Sequence, residues 1–465
     1  MLVPVILHLV CATVRADVRL PSIFGDHMVI QRELPVKIWG WADEDEKVTV
    51  TLAGQKVVTT TDAGGKWVVE LMPVQRCGPH VMTVTGNNKL EVKDILVGEV
   101  WVCSGQSNMQ WSVRQSANPD EEIAAADFPN IRLFTVVRKI AETPQDDCQG
   151  SWSACSPETV AGFSAVGYFF GRTLNKELDV PIGLINSSWG GTIAEAWTSG
   201  PGLEDEPDFE PILQRAATFN PKTPNQASVL FNGMIQPIIP VGIRGAIWYQ
   251  GESNCGRAEQ YQKLFPALIL DWRRNWGQGE FPFLFVQLAP FRYGRADPAN
   301  CAELREAQRL TLETVPNTGM AVTTDIGNVK DIHPKNKQEV GRRLALWALA
   351  ETHGKDLVFS GPLYESMSVE DGKIRIRFKH ACGGLVAKAG PLTHFTIAGA
   401  DGNFVSAGAE IDGETVVVHS DEVKEPAAVR FGWRDDAEPN LFNAAGLPAS
   451  PFRTDDFPLV TAGNE

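Results

Sequence analysis

Between residues 96 and 354, short apolar runs alternate with segments whose apolar residues recur every three or four positions. EVWVCSG (99–105), VPIGLIN (180–186), GAIWY (245–249), FPFLFVQLAP (281–290) and GMAVTTDIG (319–327) have the length and the β-branched or aromatic content of buried strands. Helical spacing lies between them. Val160, Phe163, Val166, Phe170 and Leu174 fall on one stripe of 158–177. Leu264, Leu268 and Trp272 do so within Tyr261–Trp272, and 303–313 is helical in composition. Val340, Leu344, Trp347 and Ala348 share one face of 335–351. Strands joined through helices pair in parallel, because only a long crossover returns the chain to the same end of the sheet. The pattern predicts an α/β fold whose mostly parallel sheet is covered by helices on both faces.

The flanks read differently. Residues 17–95 hold VKIWGWA, KVTVTLAG, KVVTTT, KWVVEL and HVMTVTG, separated by turn signals such as Asp62-Ala63-Gly64-Gly65 and Gly86-Asn87-Asn88. A small β-domain of sandwich type is expected there. From 355 to 465 β character returns, with Asp-Gly pairs at 371–372, 401–402 and 412–413, each a hairpin signal. Residues 96–354 are the expected α/β domain. At the N-terminus, residues 2–14 are almost wholly apolar and Val14-Arg15-Ala16 resembles a small-residue cleavage site. Residues 1–16 are read as a signal peptide and the protein as exported, although no Lys or Arg precedes the apolar run. The alternative is a buried first strand.

The formal charge of −15 disfavours nucleic acid as a partner. No run reaches the roughly 18 apolar residues of a membrane span. The eight cysteines form no CxxC and no zinc-like Cys/His spacing. Cys148 and Cys155 are near enough in sequence to bridge.

In an open parallel sheet, ligands bind beyond the carboxyl ends of the strands. Polar or glycine-rich clusters follow four of them: Ser104-Gly105-Gln106-Ser107-Asn108; Ser187-Ser188-Trp189-Gly190-Gly191-Thr192; Gln250-Gly251-Glu252-Ser253-Asn254; and Asp325 with Asp331-Ile332-His333-Pro334. Acyl transfer uses these residue types. A serine hydroxyl loses its proton to a histidine, an acid orients that histidine, and backbone or amide N–H groups hold the oxyanion. Met109 stands where the Gly-x-Ser-x-Gly elbow needs glycine, so that elbow is absent. Asn186-Ser187-Ser188 is a formal glycosylation sequon, but at a strand end beside the expected site it reads as chance.

GQSNMQW (105–111), the Trp-Gly-Gly-Thr turn with Glu195-Ala196-Trp197 behind it, WYQGESN (248–254) and DIHPKNKQEVGRRLAL (331–346) together resemble the sialate O-acetylesterase family. That family belongs to the SGNH hydrolases, and the resemblance implies their flavodoxin-like three-layer α/β/α fold. It implies Ser107 as nucleophile and His333 as base. The oxyanion donors would be the N–H groups of Ser107 and Gly191 with the amide of Gln250 or Asn254, Gln250 being favoured at the strand end. The superfamily's acid stands three residues before the histidine, where this chain has Lys330; Asp331, two before, takes the role, with Asp325 or a main-chain carbonyl as alternatives. Gln106, Trp111, Trp189 and Glu252 are candidates for binding substrate. The resemblance implies an O-acetylated sugar as substrate, with no metal and no organic cofactor. Sialic acid is expected, acetylated xylan is the alternative within the enzymes, and a catalytically silent sugar-binding protein is the alternative outside them.

Overall fold

The computed structural model describes residues 17–75, 77–294 and 297–464; the expected signal peptide lies outside the described residues. Six parallel strands build the central sheet: β1 (Lys89–Gly105), β2 (Phe128–Thr135), β3 (Ile182–Ser188), β4 (Gly245–Tyr249), β5 (Phe283–Val286) and β6 (Thr318–Ala321). Their order is β6-β5-β4-β1-β3-β2, with Trp152–Cys155 added antiparallel at the β2 edge. Every residue of β3, β4 and β5 is buried, which accounts for the apolar runs of β4 and β5 and of the first four residues of β3.

Helix α1 (Ala165–Leu178) packs on α4 (Lys337–Trp347), and α2 (Ala258–Trp276) packs on α3 (Asn300–Thr314). One pair covers each face of the sheet. Trp101 of β1 meets Phe170 of α1 edge-on at 5.0 Å, while Trp248 of β4 packs on Phe265 and Trp272 of α2. The expected three-layer α/β/α fold is therefore present. The single helix expected over 158–177 is instead two, Pro157–Val160 and α1. The chain restarts at Ser164, whose hydroxyl caps the second helix by accepting from Gly167 N–H at 3.1 Å.

Strand β1 has 17 residues and serves two sheets. Its first half pairs with His80–Thr85 in the N-terminal β unit, and its second half lies between β3 and β4. One apolar core runs from Val18 to Leu349 without a break. A buried carboxylate holds the junction: Glu99 takes Arg32 Nε at 2.5 Å and Arg244 Nε at 2.6 Å. Removing one member of such a set leaves an uncompensated buried charge, at a cost of about 3–5 kcal/mol.

Residues beyond 360 form three small antiparallel sheets around a separate core centred on Ile376, Ile397, Val418 and Phe431. All three Asp-Gly pairs lie at or beside hairpin turns. Arg305 of α3 pins this unit to the central fold. Its fully buried guanidinium donates to the carbonyls of Leu288, Ala289, Arg434 and Asp435.

Cys148 and Cys155 do not bridge; both are buried free thiols. Proximity in sequence was no guide, since each faces its own apolar surroundings. The disulfide joins Cys255, in the turn after β4, to Cys301 at the start of α3, 46 residues away. Closing a loop of that length restricts the unfolded chain, so the Cys255→Ala/Cys301→Ala variant should lose about 2–4 kcal/mol. Urea unfolding checks this; an unchanged midpoint would show that the bond contributes nothing to stability.

Candidate active site

Three strand ends lie side by side. Ser188 of β3 and Tyr249 of β4 both pair with Gly105, the last residue of β1. From β1 the chain passes to β2 and then β3 on one side, and it later returns to β4 on the other. The end of β1 is therefore the point at which the connections diverge, where α/β sheets open a crevice. Gly105 must be glycine on two counts: its φ is +134°, and a Cβ there would stand 2.2 Å from the Tyr249 carbonyl oxygen.

Beyond Gly105 the chain turns sharply into a single helical turn, Ser107–Gln110. Gln106 is buried and anchors this turn. Its N–H donates to Tyr249 O at 2.9 Å, and its Oε1 accepts the N–H groups of Gly251 and Ser253. Gln106 is thus a brace between the first and third motifs rather than a group presented to substrate. Ser107 is half-buried at the start of the turn. Gly190 packs against it so closely that a Cβ would lie 3.2 Å from the Ser107 Cβ. The Gly190 N–H is engaged by Gln110 Oε1 at 2.8 Å, while the next residue, Gly191, is exposed with φ +76°.

His333 reaches the serine turn through two contacts. Asn108 Nδ2 donates to the carbonyl of Ile332 at 3.0 Å, tying the residue after Ser107 to the residue before His333. The Trp111 indole stacks on the His333 ring at 4.4 Å with 15° between planes. One face of Trp111 is therefore occupied by the histidine. Trp189 is similarly covered on one face by the Arg138 guanidinium at 5.3 Å, and its backbone N–H donates to Gly105 O at 3.0 Å. Both tryptophans remain partly exposed.

The acid candidates separate clearly. Asp325 is held by both terminal nitrogens of Arg343, at 2.6 and 2.7 Å, and so is committed to α4. Asp331 accepts the His333 backbone N–H at 2.9 Å, and the same oxygen lies 3.9 Å from His333 Nδ1. That distance is ionic but too long for a hydrogen bond. Burial lowers the affinity of His333 for a proton, and the Lys337 cation lowers it further; Asp331 opposes both. The net direction is downward, so the neutral imidazole persists below the ordinary histidine value of about 6.5.

The amides expected to meet an oxyanion are engaged elsewhere. Gln250 is fully buried; its Nε2 donates to Thr192 O and Asn254 Oδ1, and its Oε1 accepts from the Tyr261 hydroxyl. Asn254 Oδ1 also takes the Ala194 N–H, and its Nδ2 donates to Glu195 Oε2 at 2.9 Å. Glu195 in turn binds Arg257. These groups clamp the second motif to the third. Neither amide is presented at the surface, which corrects the sequence-based preference for Gln250. Glu252 is buried as well, accepting from Asn108 Nδ2 at 2.6 Å.

Sequence reasoning missed Asn108 and Lys337. Asn108 binds Glu252, Ile332 O and the Lys337 ammonium at once. Both residues stand within the motifs quoted above, but nothing in their spacing reveals that they meet.

The layered sheet thus carries the serine turn at its switch point. Residues 97–350 match the family model of carbohydrate esterases described as sialic acid-specific acetylesterase. The sialate O-acetylesterase of Mus musculus is 35% identical over 408 residues, covering 74% of this chain and 75% of that protein. The human sialate O-acetylesterase is 37% identical over 392 residues, covering 76% and 74%. The crystal structure of a carbohydrate acetylesterase from Xanthomonas citri superposes with a TM-score of 0.88 at 39% identity, covering 95% of this chain and all of that one. The chain belongs to the sialic acid-specific acetylesterase family of carbohydrate esterases.

Proposed function

We propose that this chain is an exported serine esterase that removes O-acetyl groups from carbohydrate, with O-acetylated sialic acid as its substrate. The observation that carries this is the direct tether between the Ser107 turn and the His333 loop through Asn108. The names of the relatives support the choice of acyl group and sugar. Ser107 Oγ attacks the acetyl carbonyl carbon while His333 takes its proton. The N–H groups of Ser107 and Gly191 hold the oxyanion; Gly190 is excluded because its N–H already serves Gln110. The carbonyl re-forms, the bond to the sugar oxygen breaks, and His333 returns the proton to that oxygen. Water then attacks the acetyl-enzyme by the same route, releasing acetate. Asp331 steadies the imidazolium electrostatically from 3.9 Å.

The exposed faces of Trp111 and Trp189 offer apolar surface to the sugar ring. Residues 96–354 carry the chemistry, with 17–95 and 355–465 as flanking β units. Export accords with the disulfide, since such bonds persist in oxidising compartments. No helix among the described residues is long and apolar enough to cross a membrane.

The test is acetate release from O-acetylated sialic acid and from acetylated xylan under the same conditions. A higher kcat/KM on the sialic acid is expected. Faster reaction on xylan would overturn the choice of sugar, and release from neither would overturn the esterase reading.

A further inference from the structure

Lys337 opens helix α4 four residues after His333, and it is completely buried. Helix α4 does not need it as a cap, because Asn336 fills that role by accepting from Glu339 N–H at 3.1 Å. A buried ammonium carries a heavy desolvation penalty unless it is well paired. Here its near partners are the Asn108 carbonyl oxygen at 2.5 Å and the face of the Tyr249 ring at 5.1 Å. On the other side of the Asn108 amide lies the buried carboxylate of Glu252. The amide thus stands between a buried lysine and a buried glutamate, and burial pushes both toward their neutral forms.

We propose that Lys337 is a positioning residue for the esterase reaction, acting through the Asn108 amide on both the serine turn and the His333 loop. The proposal rests on the esterase reading above. Asn108 has an oxygen that accepts and a nitrogen that donates. A lysine ammonium, the form Lys337 keeps below about pH 7, can only donate, and Glu252 and the Ile332 carbonyl both accept here. With Lys337 in place the Asn108 oxygen must face it, so the two amide hydrogens must face Glu252 Oε1 and Ile332 O. Flipping the amide would set donor against donor and acceptor against acceptors. Lys337 therefore satisfies the Asn108 oxygen while Glu252 and Ile332 O take its two hydrogens, and Asn108 fixes where the residue before His333 sits. Without the lysine the buried amide oxygen loses its donor, and the tether that holds the base loop on the serine turn loses one of its three anchors.

The same cation has a second effect. It disfavours a proton on His333, whereas Asp331 favours one. Burial in turn pushes the Lys337 ammonium down to about 7, against the pull of Glu252 and Asp331. The titratable groups around Lys337 are thus Glu252, Asp331, His333 and Tyr249.

Two variants separate the hydrogen bond from the charge. Lys337→Gln retains a donor for Asn108 without charge; Lys337→Met retains neither. Lys337→Met is expected to lower kcat about 10- to 100-fold with KM little changed, as misplacement of a catalytic group does. Lys337→Gln should recover most of that loss. In both, the NMR titration midpoint of the His333 ring, assigned by its absence in His333→Gln, should move to higher pH. The NMR arm needs no turnover, so it stands even if Ser107→Ala leaves activity intact and the esterase reading fails. A midpoint that stays put or falls in a folded variant would overturn the proposal. A loss of kcat that glutamine does not relieve would also overturn it, by making Lys337 merely part of the core.

Discussion

Replacing Ser107 with alanine should lower kcat/KM for acetate release by about 10⁴- to 10⁶-fold. The thermal midpoint should stay close to that of the parent. The two expectations belong together. No hydrogen bond to the Ser107 hydroxyl is present among the described residues, and the turn that bears it is held instead by Gln106, Asn108 and Gln110. Alanine occupies the first position of a helical turn without strain, so the fold loses little. The reaction loses its only covalent path. What remains is substrate binding and the two N–H groups facing the oxyanion, enough for a small residual rate over water. Acetate assays with a melting curve on the same preparation check both halves. Activity within tenfold of the parent would place the nucleophile elsewhere.

His333→Gln should cost as much as Ser107→Ala, and the double variant should cost no more than either alone. Groups that act in one proton transfer fail as a unit, so their losses do not add. In the parent, the histidine must be neutral to accept the serine proton. Burial and Lys337 shift its titration downward, so activity should be retained below the ordinary histidine value of about 6.5. The acid limb of the kcat/KM profile reports that group in the free enzyme. An acid limb above the ordinary value, or losses that multiply in the double variant, would contradict this assignment.

The layered fold was legible because its signals are local. Buried parallel strands such as β4 and β5 read as unbroken apolar runs, and helices α1 and α4 show one apolar stripe each. The serine turn was legible for a related reason: a strand that ends in Gly105, where no Cβ fits, announces a close approach of backbones. The polar interior was not. Gln250 and Asn254 look alike in sequence to free oxyanion donors, and only the arrival of Thr192, Ala194 and Glu195 from the neighbouring strand end engages them. The pairing of Cys255 with Cys301 depends on how α3 packs against the turn after β4, which no spacing encodes. Asn108 and Lys337 are 229 positions apart and meet only once the sheet has brought its strand ends together. The long strand β1 gives no local sign that it leaves one sheet for another at mid-length, since both halves present β-branched residues at strand spacing.

The central claim is that Ser107 forms a covalent bond during turnover. The direct measurement is labelling with a fluorophosphonate, which captures activated serines, followed by peptide mass spectrometry. The expected result is a single adduct on the peptide carrying Ser107, formed in step with loss of acetate release and absent in His333→Gln. Complete labelling at another residue, or full activity with Ser107 modified, would contradict the account.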